Sequence, residues 1–145
     1  MKIALHTNQL QELDQALEIS NQIFDPSPKE LQKYHDKNDW LNKINNGGLL
    51  VTAWNDNKIV GFSICHPKEQ NFHIWNVGVL KDYRKLGIWK LIHEELQKFA
   101  KEKGYQHLTL NTYKSRFPGM YGFALDNGYV EYKTEGEKSF FTKTI

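Results

Sequence analysis

The stretch Val79–Tyr105, VLKDYRKLGIWKLIHEELQKFAKEKGY, constrains this chain more than any other. Ile88, Leu91, Ile92, Leu96, Phe99 and Ala100 recur at helical spacing and form one apolar stripe. Gly104 stands where a helix C-terminus belongs. The pattern therefore predicts a long helix opening after Arg84-Lys85-Leu86-Gly87. It is flanked by two β-rich runs, NFHIWNVGVL before it and HLTLNTY after it. A helix joining two neighbouring strands is a crossover, and a crossover leaves its strands parallel.

The remaining elements surround that unit. KIALHT (2–7) is expected as a first strand. Leu10, Leu13, Leu17, Ile19 and Ile23 predict a helix over about 8–24. A second helix is expected to restart at DPSPKELQKY, with Ser27 as cap, Pro28 in the first turn and Glu30 completing a capping box. Leu31, Tyr34, Trp40, Leu41 and Ile44 carry its apolar face, and Gly47-Gly48 stops it. GLLVTAWNDNKIVGFSIC reads as a hairpin turning at Asn55-Asp56-Asn57, and HPKEQN as a second turn. Met120, Phe123 and Ala124 predict a short helix after Pro118-Gly119, ending near Asn127-Gly128. YVEYKT and KSFFTKTI close the chain as strands separated by Glu135-Gly136-Glu137. The order is β-α-α-β-β-β-α-β-α-β-β, a mixed sheet with interleaved helices, α+β of an α/β/α-like kind.

Composition narrows the function. At 145 residues the chain is expected to be a single domain spanning 1–145. A net charge of +2 is too small to argue for nucleic acid or membrane, and neither is expected as a partner. Glu94, Glu95 and Glu102 also interrupt the lysines of 81–103. No apolar run approaches the roughly 20 residues that span a bilayer. MKIALHTNQLQELDQ lacks the apolar core of a secretory signal. Cys65 stands alone, so neither an intrachain disulfide nor a thiolate metal cluster is expected. These features together point to a cytoplasmic protein without a metal.

The basic turn at Arg84–Gly87 has two readings. It is either an exposed helix start with solubilising charges, or a cradle in which free helix amides and basic side chains meet an anion. VGVLKDYRKLGIW, placed after the third strand of a meander, resembles the phosphate-binding motif of the GNAT superfamily of acetyl-CoA-dependent N-acetyltransferases. That pattern is an apolar strand, V-x-P-x-x-R, then R/Q-x-x-G-x-G/A. The resemblance implies the GNAT fold: a mixed, mostly antiparallel sheet of six to seven strands, flanked by about four helices and splayed between the fourth and fifth strands.

It also implies acetyl-CoA as cosubstrate, held by amides of Lys85, Leu86, Gly87, Ile88 and Trp89. Arg84 adds charge, and the strand backbone around Val77, Val79 and Leu80 pairs with the pantetheine arm. Lys81 replaces the usual proline. Trp89 replaces the usual small residue, and its indole either blocks the cradle, folds outward or packs on the cofactor. Some branches carry T-x-N, a Pro-Met helix and Gly-Phe. Thr109-Leu110-Asn111, Pro118-Gly119-Met120 and Gly128-Tyr129 resemble these, which places Asn111 against the pantetheine amides.

Transfer to an amine requires a base, a polarised carbonyl and a stabilised thiolate. Ala124 occupies the family's usual tyrosine position, and Tyr121, one turn earlier, is the candidate acid. The strand Phe72–Leu80 has no carboxylate, which leaves His73, with a reference pKa of about 6.5, as candidate base. His66 and His107 have weaker cases, and Cys65 reads as a small buried hydrophobe. The expected reaction is direct attack in a ternary complex on a small-molecule or peptide amine. Phe24, Tyr34, Trp40 and Trp75 are candidates for an aromatic acceptor wall or for core, and Asp25 for amine attraction, while Asp36, Lys37 and Asp39 read as a solvated helix end. The final strand is a candidate homodimer element. The rival is a non-catalytic acyl-CoA-binding or regulatory domain on the same fold, which Trp89, Ala124 and the acid-free strand favour.

Overall fold

The β-branched and aromatic runs form the strands: β1 (Ile3–Thr7), β2 (Leu49–Asn55), β3 (Lys58–Lys68), β4 (Asn71–Val79), β5 (His107–Tyr113), β6 (Val130–Glu135) and β7 (Lys138–Thr144). They make one sheet in the order β1-β2-β3-β4-β5-β7-β6. Every neighbouring pair is antiparallel except β4–β5, which the crossover makes parallel. This computed structural model describes residues 2–24 and 36–145. Among them are four α-helices, α1 (Leu13–Ile23), α2 (Lys37–Asn45), α3 (Ile88–Glu102) and α4 (Pro118–Asp126).

Two cores lie on opposite faces of the sheet. Leu13, Ile19 and Trp40 of α1 and α2 pack with Phe62 and Ile64 on one side. Ile88, Ile92 and Leu96 of α3 pack with Phe72, Leu108 and Phe141 on the other. Each such buried aliphatic side chain contributes about 1.5–3 kcal/mol, so burial rather than helix propensity holds α3 in place. At its end Tyr105 N–H donates to Ala100 O and Gly104 N–H to Lys101 O, both at 3.0 Å, with Gly104 left-handed as expected.

The structure corrects three local expectations. Leu91 lies outside the α3 stripe at 40% exposure, and buried His93 takes an interior place instead. α2 starts at Lys37, where Asp36 Oδ1 accepts from Asn38 N–H at 2.9 Å and Asp39 N–H at 3.4 Å, so Asp36 is a cap rather than a merely solvated charge. Ser27, Pro28, Glu30, Leu31, Tyr34 and Asp25 lie outside the described residues. The second turn is narrower than HPKEQN: β3 runs to Lys68, and Glu69 and Gln70 turn with both φ positive, at 50° and 71°. Two left-handed residues mark a type I′ hairpin, a turn usually announced by Asn-Gly.

Candidate active site

β4 and β5 are joined only through Phe72–Leu108, His73–Thr109 and Ile74–Leu110. Beyond Ile74 they part. On the other side of β4, Ile64 pairs with Asn76 while Cys65 pairs with Ile74, so Trp75 is the extra residue of a β-bulge. Two buried serines fasten this bend: Ser63 Oγ donates to Asn76 O at 3.1 Å, and Asn76 Nδ2 donates to Ser20 Oγ on α1 at 3.3 Å. The parted strands enclose a cleft of about 100 Å³, lined by Trp75, Asn76 and Val77 of β4, Asn111 and Tyr113 of β5, Phe117 just before α4 and Met120 within it. Phe24, at the end of α1, lines it as well and meets Phe117 edge to face at 5.6 Å.

The front of α3 lies where β4 ends. Leu80 N–H donates to Val60 O at 2.9 Å, a 3-10 turn follows at Lys81–Tyr83, and Lys85 and Gly87 are left-handed at φ 62° and 83°. Left-handed residues in such a turn gather successive N–H groups toward one side, a concavity suited to anions. No side chain caps α3 at Gly87, so its first amides and the positive end of its dipole remain directed outward. A methyl group on Gly87 would touch nothing within 4 Å. The backbone conformation, rather than crowding, demands glycine here.

The expected site residues divide between this cradle, the cleft and the core. Lys85 and Leu86 are exposed in the loop, whereas the Ile88 side chain is buried, so Ile88 can offer a ligand only its backbone. Arg84 Nε donates to Val79 O at 2.9 Å, tying the guanidinium to the end of β4. Trp89 does not cover Gly87: its ring lies against Phe123 and His93, with centroids 5.3 and 5.5 Å away, in the junction of α3 and α4. Val77 and Asn111 line the cleft. Tyr121 does not; its ring packs edge to face on Phe141 at 5.5 Å, with Lys114 Nζ 5.1 Å from its centre. Trp40 is wholly buried in the α1–α2 core, and Trp75 stands beside it at the cleft wall.

Cys65 is buried, as expected, and burial pushes its thiol up to about 12. It is not a nucleophile at neutral pH. Burial pushes His93 down to about 4, with Lys143 adding to the effect, and its Nε2 lies 2.6 Å from the Tyr129 hydroxyl. His66 is also held below its ordinary range by burial and by Lys43. No group of His, Cys, Asp and Glu among the described residues is arranged to hold a metal ion.

His73 occupies a second space. A groove of about 220 Å³ runs along the α1–α2 face of β4, β5 and β7, with His73, Thr109 and Phe140 on its floor and Lys68 and Lys133 on its rim. His73 Nδ1 and Thr109 Oγ1 are 2.7 Å apart, and the His66 ring stands edge-on to His73 at 5.6 Å. Asn111 lines both the groove and the cleft and so joins them. Periodicity could not reveal Asn76, Tyr113, Phe117 and Met120 as cleft residues, because a bulge has no period. The family's Pro-Met pattern was the one signal for Met120.

The sequence matches the model of the Acetyltransferase (GNAT) family over residues 12–129. The chain belongs to the GNAT acetyltransferase family. Its fold agrees: the PaiA N-acetyltransferase of Thermoplasma acidophilum, solved in complex with coenzyme A, superposes with a TM-score of 0.84 at 20% identity over 100% of both chains. A GNAT-family acetyltransferase of Staphylococcus aureus Mu50 gives 0.80 at 19% identity over 99% of each chain. A GNAT acetyltransferase of Elizabethkingia anophelis with acetyl-CoA bound gives 0.70 at 19% identity, over 99% of this chain and 98% of that one. No curated protein matches the sequence significantly. The GNAT parallel pair is the fourth and fifth strands of this chain, where the sheet splays as expected. No described helix is long and apolar enough to cross a membrane.

Proposed function

We propose that this GNAT chain is a single-domain cytoplasmic N-acetyltransferase that moves an acetyl group from acetyl-CoA directly to an amine while both are bound. The observation that carries this is an uncapped, left-handed α3 front that follows in sequence on β4, the strand whose parting from β5 forms the cleft. The residues fit the cofactor: amides from Lys85 to Trp89 would hold the diphosphate, and Val77 and Asn111 would flank the pantetheine arm. Two structures of similar fold are described as holding coenzyme A or acetyl-CoA.

Acetyl-CoA supplies the acetyl group already activated as a thioester. The chain's part is to position and desolvate. The aromatic wall of Phe24, Trp75 and Phe117 excludes water, which strengthens polar contacts inside the cleft. The bulge held by Ser63 and Asn76 aims the β4 backbone into that space. His73, kept in one orientation by Thr109, takes the amine proton through water by way of the groove. Tyr113 is better placed than Tyr121 to return a proton, since it lines the cleft.

The second reading, an acyl-CoA-binding domain without turnover, is favoured by one observation: the described cleft lining contains no carboxylate, lysine or histidine. Incubation with acetyl-CoA and a panel of amines decides between them. Free thiol released above the hydrolysis background supports transfer; coenzyme A binding with no release on any amine supports the rival.

A further inference from the structure

The groove beside the cleft is larger than the cleft and differently built. Its floor offers hydrogen-bonding groups from Thr109, Asn111 and His73, and its far end is cationic. Lys68 and Lys133 stand on the rim against a single lining carboxylate, Glu69, so the lining carries two positive charges and one negative. Lys133 and Lys138 each place Nζ 5.1 Å from the centre of the Phe140 ring, which concentrates charge at that end. Glu135 pairs with Lys133 at 2.7 Å, with both side chains about half exposed. Such a pair is weak and yields readily to a competing carboxylate.

The two spaces adjoin, with His73 lining the groove and Ile74 the cleft. Asn111 belongs to both. Along β4, Asn71 lines the groove and Trp75 the cleft, four residues apart, or roughly 13 Å of strand. Lys68 pairs with Asn71 at the far end of the groove, so a free α-amino acid, whose amine and carboxylate are adjacent, is too short to place its amine beside Trp75 and its carboxylate on Lys68.

We propose that this groove is the acceptor subsite, and that it selects an extended peptide amine with an anionic group at its third or fourth residue, read by Lys68 and Lys133. This rests on the transferase function proposed above, and the test separates the two. Protein saturated with coenzyme A is titrated with the amidated peptides Gly-Ala-Ala-Asp and Gly-Ala-Ala-Asn, and binding is followed by calorimetry. The aspartate peptide is expected to bind at least about fivefold more tightly, and the preference to vanish in Lys68→Gln/Lys133→Gln, whose substitutions lie on exposed positions. Equal affinities, no binding of the aspartate peptide up to millimolar concentration, or a preference that survives the double substitution each overturn the subsite. Thiol release is measured in parallel with acetyl-CoA. Selective binding without release supports the subsite and contradicts transfer; release on other amines without selective binding does the reverse.

Discussion

His93 Nε2 and the Tyr129 hydroxyl lie 2.6 Å apart, joining α3 to the turn between α4 and β6. The pair is buried, and the Trp89 and Phe123 rings close over it. It therefore sets the spacing of the two helices whose front ends face the proposed cofactor.

This pair makes stability depend on pH. The unfolded chain protonates His93 near 6.5, whereas the folded chain resists until about 4, because burial and Lys143 oppose the charge. Between those values the unfolded state binds more protons, so the contribution is complete above pH 6.5 and is lost as pH falls toward 4. Its size is on the order of 3 kcal/mol. Denaturant midpoints measured from pH 7 to 4.5 should fall in the wild type and fall distinctly less in His93→Gln. Parallel curves would remove His93 as the cause.

Gly87→Ala should destabilise by about 1 kcal/mol, because φ of 83° is left-handed and nothing crowds the added methyl. Its larger effect is on the cradle: a loop that relaxes toward negative φ turns its amides away. We expect affinity for coenzyme A to drop at least about fivefold while the far-ultraviolet spectrum is unchanged. Unaltered affinity would mean that the loop amides hold nothing.

Ser63→Ala removes the hydroxyl that holds Asn76 O at 3.1 Å. A buried hydrogen bond of this kind contributes about 1 kcal/mol, so unfolding should show a loss of that order. Because the bond fixes the bulge and not the ligand, kcat should fall while coenzyme A affinity stays within about twofold. Loss of affinity with kcat intact would reverse that assignment.

The two catalytic candidates separate kinetically. His73→Ala should lower kcat by about a hundredfold, the low end of general-base effects, and leave coenzyme A binding intact. Tyr121→Phe should leave turnover within about twofold, since its ring packs on Phe141 outside the cleft lining. Tyr113→Phe should cost more than Tyr121→Phe. If Tyr121→Phe alone abolishes release of thiol, the proton source lies on α4.

Much of this was legible in the residues. The element order and the parallel pair follow from apolar periodicity, because repeated local patterns dictate helices and strands; the cradle reading of Arg84–Gly87 rests on the resemblance to the family motif. The cleft was less legible. Its shape depends on Trp75 bulging out of register, a tertiary event driven by Ser63 and Ser20 from distant segments. Helical spacing from Ala124 offers only Tyr121 as an acid, and Tyr113 shows itself as a cleft residue only once α4 lies on β5 and β7. Sequence pattern makes the Glu69-Gln70 turn too wide, because neither residue type announces a left-handed φ. His93 interrupts an apolar stripe that periodicity alone would give to Leu91, since burial with Tyr129 as partner offsets its polarity.

The central claim is that the front of α3 and the splayed β4 backbone hold the diphosphate and pantetheine of coenzyme A. Calorimetric titration of the full chain with coenzyme A at low ionic strength tests it most directly. Saturable one-to-one binding, weakened by added salt as expected for a charged ligand, is the predicted result. Absence of any saturable heat with either coenzyme A or acetyl-CoA would contradict it.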